Sequence, residues 1–397
     1  MIVQNYPRLF LKKTPQRYDR FGHPWIYRSQ IGRVEKEIPA GSLVRVYSEK
    51  ESFLGVGTYN PQSEISVRIL TEKEETVEAE FFRSRVQKAL SHRQSIVKDT
   101  NAFRLISSEA DGLPGLVVDR YAEVLVVQFL TLGMERLRPL VLQTLSETLV
   151  PAGIFERSDT LSRRHEGLAE KTGWLVQNCA VETEILERDL RFKIHFGEGH
   201  KTGFYLDQRE NRLALRDWGV KGEVLDAFCF SGGFGLHLAA AGCRVFGVDS
   251  QKEAIAQAEI NRELNGLSAE KIAFKTANVF DELRLCEKEK RKFDLVVLDP
   301  PSFVKKSDEL EGAQAGYKEI LLRSMKLLRE EGFLAVFSCS YRFDENLLMQ
   351  ASLAAAKDVR KDLRVLQFMK QSLDHPINPF IPETYYLKGF LFLVSSR

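Results

Sequence analysis

The sequence contains no run of about 18 consecutive apolar residues, the length that a membrane-spanning helix needs. Cysteine is sparse: the five residues Cys179, Cys229, Cys243, Cys286 and Cys339 are odd in number, and no two lie within four positions of each other. That spacing excludes a Cys-x-x-Cys zinc site and argues against a disulfide framework, so reduced thiols and no bound metal are expected. Charge of one sign is also lacking, with 57 Lys and Arg against 55 Asp and Glu. There is no polybasic or polyacidic tail, no internal repeat and no low-complexity tract. The first residues carry charge on both sides of a short apolar patch, without the apolar core of a signal peptide, so a cytoplasmic location is expected. What remains is an ordinary globular composition, 44% hydrophobic and 28% charged over 397 residues. At roughly 100–200 residues per domain, two or three domains are expected.

Strand-like alternation dominates the first seventy residues. Gly41–Tyr47, Phe53–Tyr59 and Ile65–Ile69 are short strands separated by Gly, Pro and Asn turns, a pattern that predicts a small barrel. A helix is predicted over about 78–97, and the domain boundary is placed at 73. Residues 74–197 mix strand and helix, with strands at Phe103–Ser107, Leu116–Asp119 and Val124–Phe129, a helix at Met134–Leu149 and a hairpin at Ile185–Ile194. From about 218 to 397 strands and helices alternate strictly, which predicts an α/β domain with a doubly wound parallel sheet. Two stretches are locally basic: residues 1–35, with Arg8, Lys12, Lys13, Arg17, Arg20, Arg28 and Arg33, and residues 83–98. Such patches suit a polyanion, and equally suit a solvated basic face.

The most informative absence lies inside the last domain. Val224–Phe228 reads as a strand that ends in Asp226, and the loop Ser231-Gly232-Gly233-Phe-Gly235 leads into a helix. Glycines between a strand and a helix let backbone N–H groups approach a ligand. A dinucleotide-binding loop has a third glycine, which this loop lacks, so a pyrophosphate is not its natural ligand. Asp226 would repel a phosphate but suits an ammonium group. Asp249 ends the next strand, where a carboxylate commonly holds ribose hydroxyls. Asn278 ends the third, in reach of an adenine edge. Each of these residues alone also suits a helix cap. Together they describe a cofactor with an amino group, a ribose and an adenine but no phosphate, which is S-adenosylmethionine.

Asp299-Pro300-Pro301-Ser302-Phe303 follows the fourth strand, on the edge where open α/β sheets bind ligands. The prolines stiffen the turn and remove N–H donors. Asp299 is placed to hydrogen-bond a base edge and Phe303 to stack on a base taken out of its helix. Ser338-Cys339-Ser340 ends the fifth strand on the same edge. A lone Cys in an apolar strand is more often packing, and Cys229 is read that way. At the carboxyl end of a strand, a Cys339 thiolate can attack C6 of a pyrimidine, which makes carbon 5 nucleophilic enough to accept a methyl group. The competing reading is an amino-group methyltransferase that uses Asp299–Phe303 without a covalent step. A binding module that has lost catalysis is disfavoured by the presence of every carboxylate and the thiol.

The sequence resembles the bacterial large-subunit ribosomal RNA (cytosine-5) methyltransferase I family over nearly its whole length. The resemblance is carried by Tyr59-Asn60-Pro61, Asp111-Gly112-Leu-Pro114-Gly115, Asp299-Pro-Pro-x-Phe303, Ser338-Cys339-Ser340 and, most distinctively, His200-Lys201-Thr-Gly203-Phe-Tyr205-Leu-Asp207-Gln208-Arg209. It implies an N-terminal PUA domain that binds RNA (1–73), a central α+β module (74–197) and a class I methyltransferase domain (198–397) with a Rossmann-like, mostly parallel seven-stranded sheet. It further implies ribosomal RNA as partner, a homodimer and a nucleophile at Cys339. The expected cofactor contacts are Asp226, Phe228, Ser231, Gly232, Gly233, Asp249, Asn278, Asp299, Tyr205 and Gln208. The expected substrate contacts are Pro300, Pro301, Phe303 and Lys201. Two departures stand out: Ser302 occupies the position where many RNA cytosine-5 methyltransferases carry a second cysteine, and the bulky Tyr341-Arg342 follows Ser340.

Overall fold

The computed structural model describes residues 6–12, 22–35, 37–197, 204–303 and 310–397. The chain divides into two compact units. The first comprises Met1–Ile185, Ile194–Thr202 and Asp374–Thr384, and the second Leu186–Lys193, Gly203–Leu373 and Tyr385–Arg397. Among the described residues no helix is long and apolar enough to cross a membrane, and no cluster of three or more His, Cys, Asp or Glu is placed to hold a metal.

The first unit begins with six strands, β1 (Arg8–Leu11), β2 (Trp25–Tyr27), β3 (Ile31–Val34), β4 (Ser42–Tyr47), β5 (Phe53–Tyr59) and β6 (Ile65–Thr71), in the order β2-β6-β5-β4-β1-β3. All neighbours are antiparallel except β1 and β4. The period-two pattern is legible in β4, where Val44 and Val46 turn inward onto Leu9, Ile26 and Val67. A helix, Ala79–Ile96, leads to β7 (Ala102–Ser107), β8 (Leu116–Tyr121), β9 (Val124–Phe129), β10 (Gly153–Ser158) and β11 (Lys171–Gln177), which form a second sheet in the order β11-β10-β9-β8-β7. The single helix expected at Met134–Leu149 is two, Leu132–Arg136 and Arg138–Leu149. Pro139 explains the break, because a proline lacks the N–H that a continuous helix would use and suits the first turn of a new one. β12 (Glu182–Glu187) and β13 (Leu190–His195) form the expected ribbon.

Two of the motifs behind the family resemblance are structural in this unit. Asn60 Nδ2 donates to Glu166 Oε2 (2.9 Å) and Ser63 Oγ donates to Glu166 Oε1 (2.7 Å), while Arg68 pairs with the same carboxylate. The buried Glu166 thus ties the Asn60-Pro61 turn to a later segment. Asp111 accepts from both Nη atoms of Arg93, at 2.5 and 2.7 Å, and from the Ser107 N–H. Gly115, with φ of 84°, admits no side chain, since a Cβ there would stand 2.4 Å from Thr131.

Several of the described basic residues in these stretches pair with acids. Arg8 pairs with Glu35, Arg28 with Glu64, Arg33 with Glu51 and Arg83 with Glu80 and Glu147. Lys13, Arg17 and Arg20 lie outside the described residues.

The second unit holds the predicted doubly wound sheet, built from β14 (Glu223–Ala227), β15 (Arg244–Asp249), β16 (Ile272–Thr276), β17 (Phe293–Leu298), β18 (Leu328–Ser338), β19 (Lys361–Lys370) and β20 (Lys388–Ser396). The order is β16-β15-β14-β17-β18-β20-β19. The first five strands are parallel, and β20 runs antiparallel between β18 and β19. β17 is buried along Leu295–Leu298, as its unbroken apolar run requires. The sheet reverses direction between β14 and β17, and it is at such a switch point that the strand ends open into a crevice.

Arg93 is fully buried and donates also to the Arg104 and Asp374 carbonyls. Removing it strands Asp111 without its cation. Arg93→Ala is therefore expected to lower unfolding free energy by about 3–5 kcal/mol, read from urea denaturation.

Candidate functional site

The loop after β14 is held in an unusual backbone conformation. Phe228, Phe230 and Gly232 all have positive φ, at 66°, 49° and 83°. Non-glycine residues seldom occupy this region, and strain of about 1–3 kcal/mol each persists only where surrounding contacts enforce it. Here the Phe228 and Cys229 N–H groups both donate to the Val248 carbonyl, at 2.8 and 3.0 Å. The Phe230 N–H donates to Asp249 Oδ2 (3.0 Å), and the Gln251 N–H donates to Asp249 Oδ1 (2.9 Å). Asp249 thus fastens two loops while each of its oxygens keeps a lone pair for a ligand. Asp226 Oδ2 accepts from the Gly235 N–H (2.8 Å), and its Oδ1, fully buried, has no hydrogen-bond partner.

A cavity of about 170 Å³ opens at these strand ends. The β14 loop contributes Phe228, Phe230, Ser231 and Gly233, Asp249 stands at the end of β15, and Asp299, Pro300 and Pro301 follow β17. Cys339 follows β18, and Tyr205, Asp207, Gln208 and Arg212 close the remaining wall.

Arg212 organises that wall. Its Nε and Nη2 donate to Glu187 at 2.7 and 2.6 Å, its Nη1 donates to the Tyr205 carbonyl at 2.8 Å, and its guanidinium stacks 4.1 Å over the Phe204 ring. His237 Nε2 completes the buried network at 2.9 Å from Glu187. Burial by itself would raise Glu187, but the charge and hydrogen bonds of Arg212, joined by His237, hold it down at about 2. Burial pushes the His237 imidazole below its ordinary value, against the pull of Glu187.

The other acids go the opposite way. Burial pushes Asp226 up to about 7, an effect that the Gly235 N–H moderates and Asp249 reinforces. Burial also pushes Asp299 up to about 7, with Asp207 adding repulsion and the Gln208 amide opposing it. Cys339 is an exposed residue that lines the cavity, and the surrounding protein partly desolvates its thiol. That desolvation, followed by the nearby Asp299 and Asp207, pushes it up to about 11. Cys229 is buried, and its thiol is pushed up as well, as a packing residue would be.

Most of the residues singled out in the sequence meet here, and a few do not. Gly232 stands at the N-terminus of the helix Gly233–Ala240. The Asn278 carboxamide oxygen accepts from the Phe280 and Asp281 N–H groups, the capping arrangement, and Asn278 does not line the cavity. Phe303 packs inward, 5.0 Å from the Tyr317 ring and 6.1 Å from Phe280, rather than facing the cavity. The apolar core offers its ring more burial than the turn does. Lys201 and His200 lie outside the described residues. Sequence reading missed Phe230 and Arg212, and it gave no role to Asp207 although the motif that holds it had been noticed. No local pattern marks Arg212, whose partner is the distant Glu187.

The fold and the site are those of a class I methyltransferase. A family model for S-adenosylmethionine-dependent methyltransferases matches residues 111–380, and one for PUA-like domains matches residues 9–72. Ribosomal RNA large subunit methyltransferase I of Shewanella denitrificans is 39% identical over 391 residues, covering 97% of this chain and 98% of that protein. The Aeromonas hydrophila protein of the same name is 38% identical over 375 residues, 93% of this chain and 94% of that one. The chain belongs to the ribosomal RNA large subunit methyltransferase I family of S-adenosylmethionine-dependent methyltransferases. Two solved structures share the fold. One, described as an S-adenosylmethionine-dependent methyltransferase from Streptococcus mutans, gives a TM-score of 0.82 at 19% identity, over 97% of this chain and 99% of that one. The other, a methyltransferase complexed with S-adenosylhomocysteine, gives 0.83 at 19% identity with the same coverage.

The donor set fits the cofactor. Asp226 Oδ1 is a buried acceptor without a donor, and Asp249 retains acceptor capacity. Gly233 leaves little room for a side chain, because a Cβ there would stand 3.1 Å from Arg212 Cδ. A cation binds an ionised carboxylate, and burial lets Asp226 hold its proton up to a pH of about 7. Affinity for S-adenosylmethionine is therefore expected to rise as pH increases from 6 to 8, by up to about tenfold per unit below 7, and to level off above. Calorimetry at several pH values measures this, and Asp226→Asn should flatten the profile. In a second variant, Arg212→Met leaves Glu187 buried without its cation and is expected to reduce thermal stability and cofactor affinity together.

Proposed function

We propose that the chain methylates carbon 5 of a cytosine in large-subunit ribosomal RNA through a covalent bond between Cys339 Sγ and C6 of the base. The observation that carries this reading is the opening of Cys339 into the same cavity as Asp299, Asp249 and the Phe228–Ser231 loop. The names of the relatives support ribosomal RNA as the substrate. S-adenosylmethionine, when bound, supplies a methyl group on a positively charged sulfur.

The Cys339 thiolate adds to C6 and pushes electrons toward N3 of the base. Asp299, protonated up to about pH 7, is the group that donates a proton to N3. Carbon 5 then has enamine character and takes the methyl group. The C5 proton passes to water and the N3 proton returns to the Asp299 carboxylate, so the C5–C6 double bond re-forms as the C6–S bond breaks and the thiolate is returned. Pro300 and Pro301 hold the Asp299 turn rigid, and Tyr205, half exposed at the cavity wall with its ring 5.0 Å from Phe230, is the aromatic surface offered to a base. Residues 1–73, which include the PUA-like match, are the RNA-holding part, 74–197 the central module and 198–397 the catalytic part. Action on ribosomal RNA implies a cytoplasmic setting, and the family resemblance supports a homodimer.

One observation favours an amino-group methyltransferase instead: the Cys339 thiol, pushed up to about 11, is protonated at neutral pH. In that reading Asp299 accepts a hydrogen bond from an exocyclic amine, and no thiol chemistry occurs. The two readings part at a single substitution. Cys339→Ala is expected to reduce methyl incorporation into ribosomal RNA by at least about a thousandfold with cofactor affinity unchanged. Mass mapping of the methylated nucleotide identifies the base, and robust turnover by the alanine variant would sink the covalent route.

A further inference from the structure

We infer that Lys388 is a positioning residue for Cys339, holding the chain on either side of the cavity edge and setting a positive charge opposite the thiolate. The inference rests on the covalent reading above, and its test is read on the thiol rather than on turnover.

Lys388 opens β20 and pairs with Ser338 in antiparallel register. It is only 2% exposed, which is rare for a lysine. Its Nζ donates to the Ser340 carbonyl at 2.6 Å and to the Tyr386 carbonyl at 2.7 Å. Ser340 directly follows Cys339, so the ammonium fixes the segment that carries the thiol to the segment that enters β20. The Tyr385 ring lies 5.7 Å from the same ammonium. Among the described residues no carboxylate lies within ion-pair distance of Nζ.

A buried ammonium satisfied only by carbonyl dipoles is unfavourable unless negative charge develops beside it. The charged and titratable groups that face Lys388 are Cys339, Asp344 and Glu345, with Tyr385 against it. Asp344 is engaged in capping the helix Glu345–Asp358, and Glu345 accepts from the Tyr385 hydroxyl. The groups that face Cys339 are Asp299, Asp207 and Lys388, with the Tyr205 and Tyr317 phenols nearby. Among the described residues, Asp299 and Asp207 oppose the thiolate and Lys388 favours it. Burial pushes Lys388 down to about 8, so the cation persists at neutral pH.

The test compares wild type with Lys388→Gln and Lys388→Arg. Glutamine keeps an N–H donor for the carbonyls and removes the charge, whereas arginine keeps both. Cys339 alkylation by iodoacetamide is followed by mass spectrometry from pH 6 to 10, alongside kcat, KM and cofactor affinity. Lys388→Gln is expected to slow alkylation about tenfold at pH 7, where the wild-type ammonium is charged, with the difference shrinking above pH 8. The same variant should lower kcat at least about tenfold, with cofactor affinity unchanged. Lys388→Arg should stay within about threefold of wild type. Identical alkylation profiles in the folded Gln variant and wild type overturn the inference. Should the Gln variant not fold, a folded Arg variant decides, and a tenfold slower alkylation there overturns it. If instead Cys339→Ala methylates ribosomal RNA while the alkylation difference is present, it is the covalent reading that falls and not the placement of the charge.

Discussion

The second unit depends on how its buried acids are balanced. Glu187 has Arg212 as a full partner and stays ionised, whereas Asp226 and Asp299, each walled in with only partial compensation, are pushed up to about 7. The contrast divides structural from chemical carboxylates. The Glu187–Arg212 pair carries the Tyr205 carbonyl and the Phe204 ring, and through them the wall of the cavity. The unbalanced acids are left with negative charge to offer a cationic ligand. Surplus negative charge at a partly desolvated site is unfavourable without that ligand, so fold stability and cofactor binding pull in opposite directions here.

The same balance disfavours the thiol chemistry that the cavity is proposed to perform. Acids that attract a positively charged cofactor also repel a thiolate, and Asp299 and Asp207 both act on Cys339 in that sense. A bound sulfonium, a proton retained on Asp299 and the buried Lys388 each reduce that repulsion. In the covalent reading, thiolate formation would thereby be favoured when the site is loaded.

Much of this was legible in the sequence because strand–helix alternation is a local signal. β15, β16 and β9 begin and end where their apolar pattern does, and Asp249, Asp299 and Cys339 announce themselves as polar residues at strand ends. The missing third glycine pointed correctly to S-adenosylmethionine, the cofactor of the family to which the chain belongs. What was not legible depends on distance along the chain. Arg212 acquires meaning from Glu187, Lys388 from Ser340, and Arg28 and Arg33 are paired with Glu64 and Glu51. Asn278 and Phe303 sit in the expected sequence context, yet a helix end and an apolar core use them. The positive φ of Phe228 and Phe230 has no sequence signature, because only the contacts of the β15 end impose it.

The division into units is discontinuous in sequence, and this constrains how the protein is made. The first unit is not complete until Asp374–Thr384 has been synthesised, since Arg93 and the Arg104 N–H both wait for Asp374. β19 cannot join its sheet until β20, which follows it in the chain, has been laid down between it and β18. A nascent chain that emerges in order therefore carries two unfinished units at once for most of its synthesis, instead of folding one and then the other. No single cut separates them into autonomous halves, and the catalytic edge closes only after nearly all of the chain has left the ribosome.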